Sequence, residues 1–384
     1  MNFLKATVPA AVIALAMAGV GTGAAHAEIR IGASVSATGP AAFLGDPEFK
    51  TLEMLVAELN EKGGINGEKI KLIMYDDGGD ANKARTFATR LIEDDEVVAI
   101  IGGTTTGTAM SILSVAEDAE IPFIALAGAI EIIQPVRPYT FKTPHTDRMA
   151  CQKIYEDMGK RGISKIGMIS GTDGFGASME AQCKNVAPDY KIDIVIDETY
   201  DPKDADMTAQ LTKIRNAPGV QAVLNPGFGQ GPSIVTRNYH QLGIELPMYQ
   251  SHGVASSGFI KLAGEKAAEG LRLPGTALLI ADQLDASDPQ QPLVTAYKAK
   301  FEERYKMPVD TFGGYAHDAF LIVTDAITRA GSAEPQEIRD AIEKTSGLAG
   351  ATGIYTFSPE DHLGLDLTAF RMLQIKDGGW SVAE

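Results

Sequence analysis

From Glu28 onward, short apolar runs alternate with amphipathic stretches, and few folds accommodate that rhythm. Ile29 to Ser34 reads as a strand, broken by Gly39-Pro40. Pro47 to Lys62 reads as a helix, with Phe49, Leu52, Leu55, Val56 and Leu59 on one face. A turn cluster, Gly63-Gly64-Ile65-Asn66-Gly67, leads to a strand at Ile70 to Tyr75 and a helix at Asn82 to Asp94. Val98 to Ile130 follows as strand, Gly/Thr loop, helix, strand and small-residue loop, and Tyr139 to Lys142 is a further short strand. This βαβαβαβ order predicts an α/β unit with right-handed crossovers and a mostly parallel sheet.

After Pro144 the rhythm restarts. Helices are expected at Thr146 to Gly159, Phe175 to Val186, Asp204 to Asn216, Gln230 to Leu242 and Ser256 to Ala263. Strands are expected between them at Lys165 to Ser170, Ile192 to Glu198, Ala222 to Leu224 and Met248 to Gln250, with Leu271 to Leu278 crossing back. Long helices then cover Gln291 to Tyr305, Gly314 to Ala330 and Pro335 to Thr345. A strand, Thr352 to Phe357, and a hairpin from Thr368 to Val382 close the chain. This last piece has too few strands to stand alone, so it is expected to complete the first two. The expected division is lobe one at 28–144 plus 275–355 and lobe two at 145–274 plus 356–384, with crossings near Pro144, Pro274 and Thr356.

The N-terminus has the form of an export signal. Lys5 is a short positive region, Val8 to Val20 is apolar, and Ala25-His26-Ala27 is a small-x-small cleavage site. Residues 1–27 are therefore expected to be removed, which places the mature protein in the periplasm. The formal charge of -16 argues against nucleic acid or an anionic membrane surface as a partner. Export permits a disulfide between Cys151 and Cys183, which fall in two predicted helices; sequence leaves a bridge and two separate thiols both open.

Within Val98 to Ile130, both loops belong at the carboxyl ends of parallel strands, where open α/β sheets bind ligands. Thr104, Thr105 and Thr106 with Gly107 offer hydroxyls and helix-start N–H groups to an anion such as a carboxylate; the same residues also suit an ordinary helix cap. Catalysis has little support. No HExxH, paired CxxC or GxSxG occurs. Asp76 and Asp77 read as turn formers, and His317-Asp318 as the start of a long helix with a dipole-serving acid. No cofactor or metal is expected.

The segments IRIGASVSATGP, GGINGEKIKL, DDGGDANKA, IIGGTTTGTA, IPFIALAGA and AAEGL, in this order and spacing, resemble the periplasmic binding proteins of branched-chain amino-acid ABC importers. The resemblance spans nearly all of Glu28 to Val382. It implies a type I binding-protein fold, two α/β lobes closing on a small ligand, a monomer, and delivery to a membrane permease. A serine that holds the ligand carboxylate in that family falls at Thr106, beside Thr105, and a backbone-donating alanine falls at Ala127. A threonine falls at Ala129, so that side-chain contact is lost. Aromatic positions fall at Phe43, Phe175 and Phe228. The glutamate that pairs with the ligand ammonium falls at His252.

The three phenylalanines sit in Gly-rich stretches, which favours the cleft over the core. His252 supplies no negative charge, and a buried unpaired ammonium would cost roughly 3–5 kcal/mol. The expected ligand is therefore a carboxylate without an amino group, best an aromatic acid of the benzoate, hydroxybenzoate or phenylpropenoid kind. The alternatives are a branched-chain amino acid, or ligand sensing for a receptor partner.

Overall fold

In a computed structural model that describes residues 28–383, the alternation resolves into two sheets, each flanked by helices. The expected leader, 1–27 with its cut after Ala27, lies outside the described residues.

The first sheet is built from β1 (Ile29–Val35), β2 (Ile70–Asp76), β3 (Ala99–Gly102), β4 (Phe123–Ala125) and β5 (Thr140–Lys142), in the order β2-β1-β3-β4-β5. Every pairing in it is parallel. The central β3 is buried along its whole length, because helices cover both faces of such a sheet. Its crossovers include α1 (Ala42–Glu61), α2 (Ala81–Glu93) and α3 (Thr106–Asp118).

The second half begins with α4 (Asp147–Lys160), β6 (Lys165–Gly171), α5 (Gly174–Val186), β7 (Asp193–Tyr200) and α6 (Thr208–Asn216). It continues through β8 (Ala222–Asn225), α7 (Gln230–Gln241), β9 (Met248–Gln250), α8 (Ser257–Ala263), α9 (Glu265–Ala268) and β10 (Arg272–Gly275). The chain then runs through α10 (Gln291–Tyr305), α11 (Thr311–Ala330), α12 (Pro335–Glu343), the short pair β11 (Leu348–Ala349) and β12 (Ile354–Tyr355), and the hairpin β13 (Arg371–Lys376) and β14 (Gly379–Val382). The second sheet has the order β14-β13-β10-β9-β8-β6-β7. It is parallel from β10 to β7, and the C-terminal hairpin adds two antiparallel strands at one edge. Helix α11 returns to the first half, where it packs along α1.

Several expected boundaries shift, each for a physical reason. By its sequence Pro47 suits the first residue of a helix, the position proline favours. Instead α1 begins at Ala42 and carries Pro47 inside it, so Phe43 lies on a helical turn rather than in a loop. The strand expected at Leu271 to Leu278 stops at Gly275, and 3₁₀ turns take over from Ala277. The strand expected at Thr352 to Phe357 is reduced to Ile354–Tyr355.

Two acidic readings are also corrected. Asp77 is not a solvated turn former: it is fully buried and accepts from Ser34 Oγ (2.8 Å), Ser36 Oγ (2.7 Å) and Gly79 N (2.9 Å). Asp318 is not a first-turn acid, because α11 starts at Thr311. Its buried carboxylate accepts from His317 Nδ1, Ala351 N, Thr352 N, Thr352 Oγ1 and Tyr355 Oη, which pins α11 to the β11–β12 segment. These donors satisfy a buried carboxyl group whose oxygens would be costly to leave unpaired.

Cys151 on α4 and Cys183 on α5 form a disulfide, with Cα atoms 5.0 Å apart and a sequence separation of 32. Closing that loop restricts the unfolded chain by roughly 3–4 kcal/mol in the chain-entropy model. Denaturant unfolding with and without reductant should differ by an amount of this order, with the reduced protein less stable; coincident curves would contradict it. A second measurement concerns Asp310, the N-cap of α11, which accepts from Gly313 N at 3.0 Å. Burial pushes its carboxyl from 3.8 up to about 7. The folded state thus holds the proton more tightly than the unfolded chain. The stability this contributes is complete below the unfolded value and is lost as pH rises from about 4 to about 7. Asn at this position keeps the cap without the titration, so Asp310→Asn should gain stability relative to the parent across that window, by a few kcal/mol at most. Parallel pH profiles of the two proteins would refute this.

Candidate functional site

The carboxyl ends of β3 and β4 in the first sheet face the loops after β6, β8 and β9 in the second, and a small cavity lies where they meet. The first half contributes Leu44 from α1, Thr104, Thr105 and Thr106 at the start of α3, and Leu126, Ala127 and Gly128 after β4. Phe312 and Tyr315 come from the first turns of α11. The second half contributes Phe175, Phe228, His252 and Gly253, and Pro144 lies between the halves.

The three threonines divide their tasks. Thr105 is the N-cap of α3: its hydroxyl accepts from Thr108 N, and Thr108 Oγ1 accepts from Thr105 N, so it is committed to a capping box. Thr104 Oγ1 accepts from Ser36 N (2.9 Å) and donates to Glu48 Oε2 (2.5 Å). Glu48 is fully buried, and burial raises its carboxyl well above the usual range. Thr106 is different. Its Oγ1 is buried at the cavity wall without a hydrogen-bond partner. The helix-cap reading therefore holds for Thr105, while Thr106 keeps a free hydroxyl beside the N-terminal turn of α3.

Opposite, the aromatic residues form one packed group. Phe175 meets Phe228 edge-on at 6.1 Å and His252 edge-on at 5.3 Å. Phe175 is the second residue of α5, which Asp173 caps through Phe175 N and Gly176 N. His252 opens a 3₁₀ turn that Ser251 caps through Gly253 N. The imidazole is 3% exposed, and burial first, then the Lys142 ammonium, pull its pKa down to about 3. His252 is therefore neutral near pH 7, with Nδ1 unpartnered. Among the described residues lining the cavity there is no Asp, Glu, Lys or Arg.

The walls approach closely. A Cβ on Gly128 would lie 2.8 Å from the Phe175 ring and 2.9 Å from His252 Nε2, so a side chain there would push the halves apart. Behind Gly128, the buried Lys142 donates to the carbonyls of Gly128 (2.7 Å) and Ala129 (3.3 Å). Burial pulls its ammonium down, while Asp147 and Glu131 act to hold it up.

Thus Thr105, Thr106, Ala127, Phe175, Phe228 and His252 meet at one cavity. Ala129 does not line it: the residue is fully buried one step beyond and directs its carbonyl to Lys142. Phe43 does not line it either. Its ring packs edge-on against Phe312 at 6.0 Å and lies close to Gly229. Sequence reasoning missed Leu44, Pro144, Phe312 and Tyr315. A signal existed for the last two. Gly313-Gly314 is an unusual pair in a helix, and Cβ atoms there would meet Tyr297 Oη at 2.7 Å and Thr352 at 2.8 Å. Such glycines mark tight packing between flanking aromatics.

Comparison with known proteins agrees with this architecture. The leucine-, isoleucine-, valine-, threonine- and alanine-binding protein of Pseudomonas aeruginosa is 26% identical over 362 residues, covering 93% of each chain. A Leu/Ile/Val-binding protein homologue of Brucella melitensis is 25% identical, covering 87% of this chain and 88% of its own. An extracellular ligand-binding receptor from Rhodopseudomonas palustris HaA2 superposes with a TM-score of 0.86 at 29% identity, covering 93% of this chain and 100% of the receptor. The branched-chain amino acid transporter substrate binding protein LivJ of Streptococcus pneumoniae, solved with isoleucine, shares the fold at TM-score 0.83 and 23% identity, covering 93% of this chain and 99% of LivJ. The two-lobed architecture is that of the type I periplasmic binding proteins. Residues 28–379 match the periplasmic binding protein family profile, and the chain belongs to that family.

Proposed function

We propose that the protein is the solute-binding component of an ABC importer. In this reading it takes a small carboxylate lacking an α-ammonium, best an aromatic acid, between its lobes and presents it to a membrane permease. The lobes comprise 28–144 plus 275–355 and 145–274 plus 356–384. Thr106 Oγ1 and the backbone beside Ala127 hold the carboxylate; Phe175 and Phe228 pack on the ring.

One observation carries the ligand class: among the described residues lining the cavity there is no carboxylate, and His252 is neutral. An α-ammonium enclosed there would lose its hydration with no anion in exchange, and a buried charge without a partner is costly. A ligand carboxylate instead meets a free hydroxyl at a helix start, where the dipole favours negative charge. The aromatic faces suit a flat ring.

A second reading, a branched-chain amino acid, is favoured by the names of the relatives above, several of which are Leu/Ile/Val-binding proteins. The two readings part cleanly in a calorimetric titration. Benzoate, 4-hydroxybenzoate and 4-coumarate are expected to bind, with leucine about a hundredfold weaker or undetectable. Thr106→Ala should weaken the acids about tenfold. Leucine binding tighter than every aromatic acid would establish the second reading instead.

A further inference from the structure

Among the described residues lining the cavity, two carry a buried hydroxyl without a partner: Thr106, at Oγ1, and Tyr315, at Oη. The first has a task in the proposed grip on the carboxylate. The second has none. Tyr315 is 2% exposed, so water from bulk does not reach it, and a buried hydroxyl left unsatisfied is costly.

The ring is held from several sides. The Tyr315 backbone carbonyl accepts from Thr143 Oγ1 at 3.0 Å, and the ring centroid lies 6.3 Å from that of Phe312 and 6.2 Å from that of His145. The preceding Gly314 is itself confined, since a Cβ there would meet Thr352 and Leu278. The phenol is thus fixed in direction by packing, as a recognition group must be. His252, with Nδ1 unpartnered, lines the same enclosed space.

Resting on the carboxylate reading above, we propose that Tyr315 is a specificity-determining residue. Its Oη takes a neutral hydrogen-bonding substituent, a hydroxyl or a carbonyl, that the ligand carries in addition to its carboxylate. The preferred class is then a hydroxylated or oxo-substituted aromatic acid rather than the unsubstituted acid. A second carboxylate is excluded, because no cationic side chain lines the cavity among the described residues. Burial, with Asp318 nearby, raises the Tyr315 phenol further above its ordinary range, so it stays neutral and can donate or accept. A ligand hydroxyl has the same two capacities, and so suits a phenol with a neutral imidazole in the same cavity.

The test is calorimetry on the full mature chain and on Tyr315→Phe, with benzoate, its three hydroxy isomers and terephthalate. In the parent protein, at least one hydroxybenzoate should bind about tenfold tighter than benzoate, and terephthalate should not bind. In Tyr315→Phe that preference should collapse while benzoate stays within about twofold. An unchanged preference in the variant, or an equal loss for benzoate and hydroxybenzoate, overturns the proposal, since a mere wall would produce the latter. If the variant does not fold, the parent alone decides: no isomer tighter than benzoate overturns it. Failure of benzoate and every isomer in the parent protein overturns the aromatic reading together with this one, whereas benzoate binding without discrimination overturns this one alone.

Discussion

The approach of Phe175 and His252 to the bare backbone of Gly128 sets the dimensions of the cleft. Gly128 follows β4 in the first sheet; Phe175 and His252 follow β6 and β9 in the second. Parallel sheets direct their loops to one edge, and two such edges face each other here. Because position 128 has no side chain, the aromatic group can press against the loop and narrow the cleft. Gly253 acts similarly on the other side, where a Cβ would meet Phe175 and Phe228 at 3.0 Å. The close approach makes the polarity of the lining decisive, since a polar group buried there without a partner is costly.

The two walls then differ in chemistry. The first-half wall has two uncommitted hydroxyls among the described residues: Thr106, next to two threonines spent on structure, and Tyr315 on α11. Buried polar contacts brace it from beneath: Glu48 holds Thr104, and Asp77 holds Ser34 and Ser36. Lys142 ties the Gly128 and Ala129 carbonyls from behind. The second-half wall is aromatic and neutral. A positively charged ligand group finds no counter-ion in the lining, and the Lys142 ammonium nearby already disfavours positive charge on His252. This division underlies the choice of a carboxylate over an amino acid, even though relatives of the chain are named for amino acids.

Much of the fold was legible because period and punctuation agree. Runs such as Ala99–Gly102 and Ala222–Asn225 are short, apolar and fully buried, the mark of central parallel strands. The boundaries that moved did so where a local signal competed with packing. Pro47 looks like a helix start, but α1 begins a turn and a half earlier, where Leu44 and Gly45 are buried. Asp77 and Asp318 look like surface acids, because their donors come from chain segments distant in sequence. The site was legible where family motifs fix loops, as at Thr106, Ala127, Phe175, Phe228 and His252. Tyr315 and Phe312 carried only the indirect mark of Gly313-Gly314, since their register on α11 depends on where that helix starts, and Asp310 caps it earlier than the apolar pattern suggests. The Cys151–Cys183 bridge was undecidable from sequence, because it needs the side-by-side packing of α4 and α5.

The central claim is that the cleft encloses a carboxylate without an ammonium. Its most direct test is to identify by mass spectrometry the small molecule released when natively purified protein is denatured. The account predicts an aromatic carboxylic acid that lacks an amino group. Recovery of leucine, isoleucine, valine or another α-amino acid would contradict it.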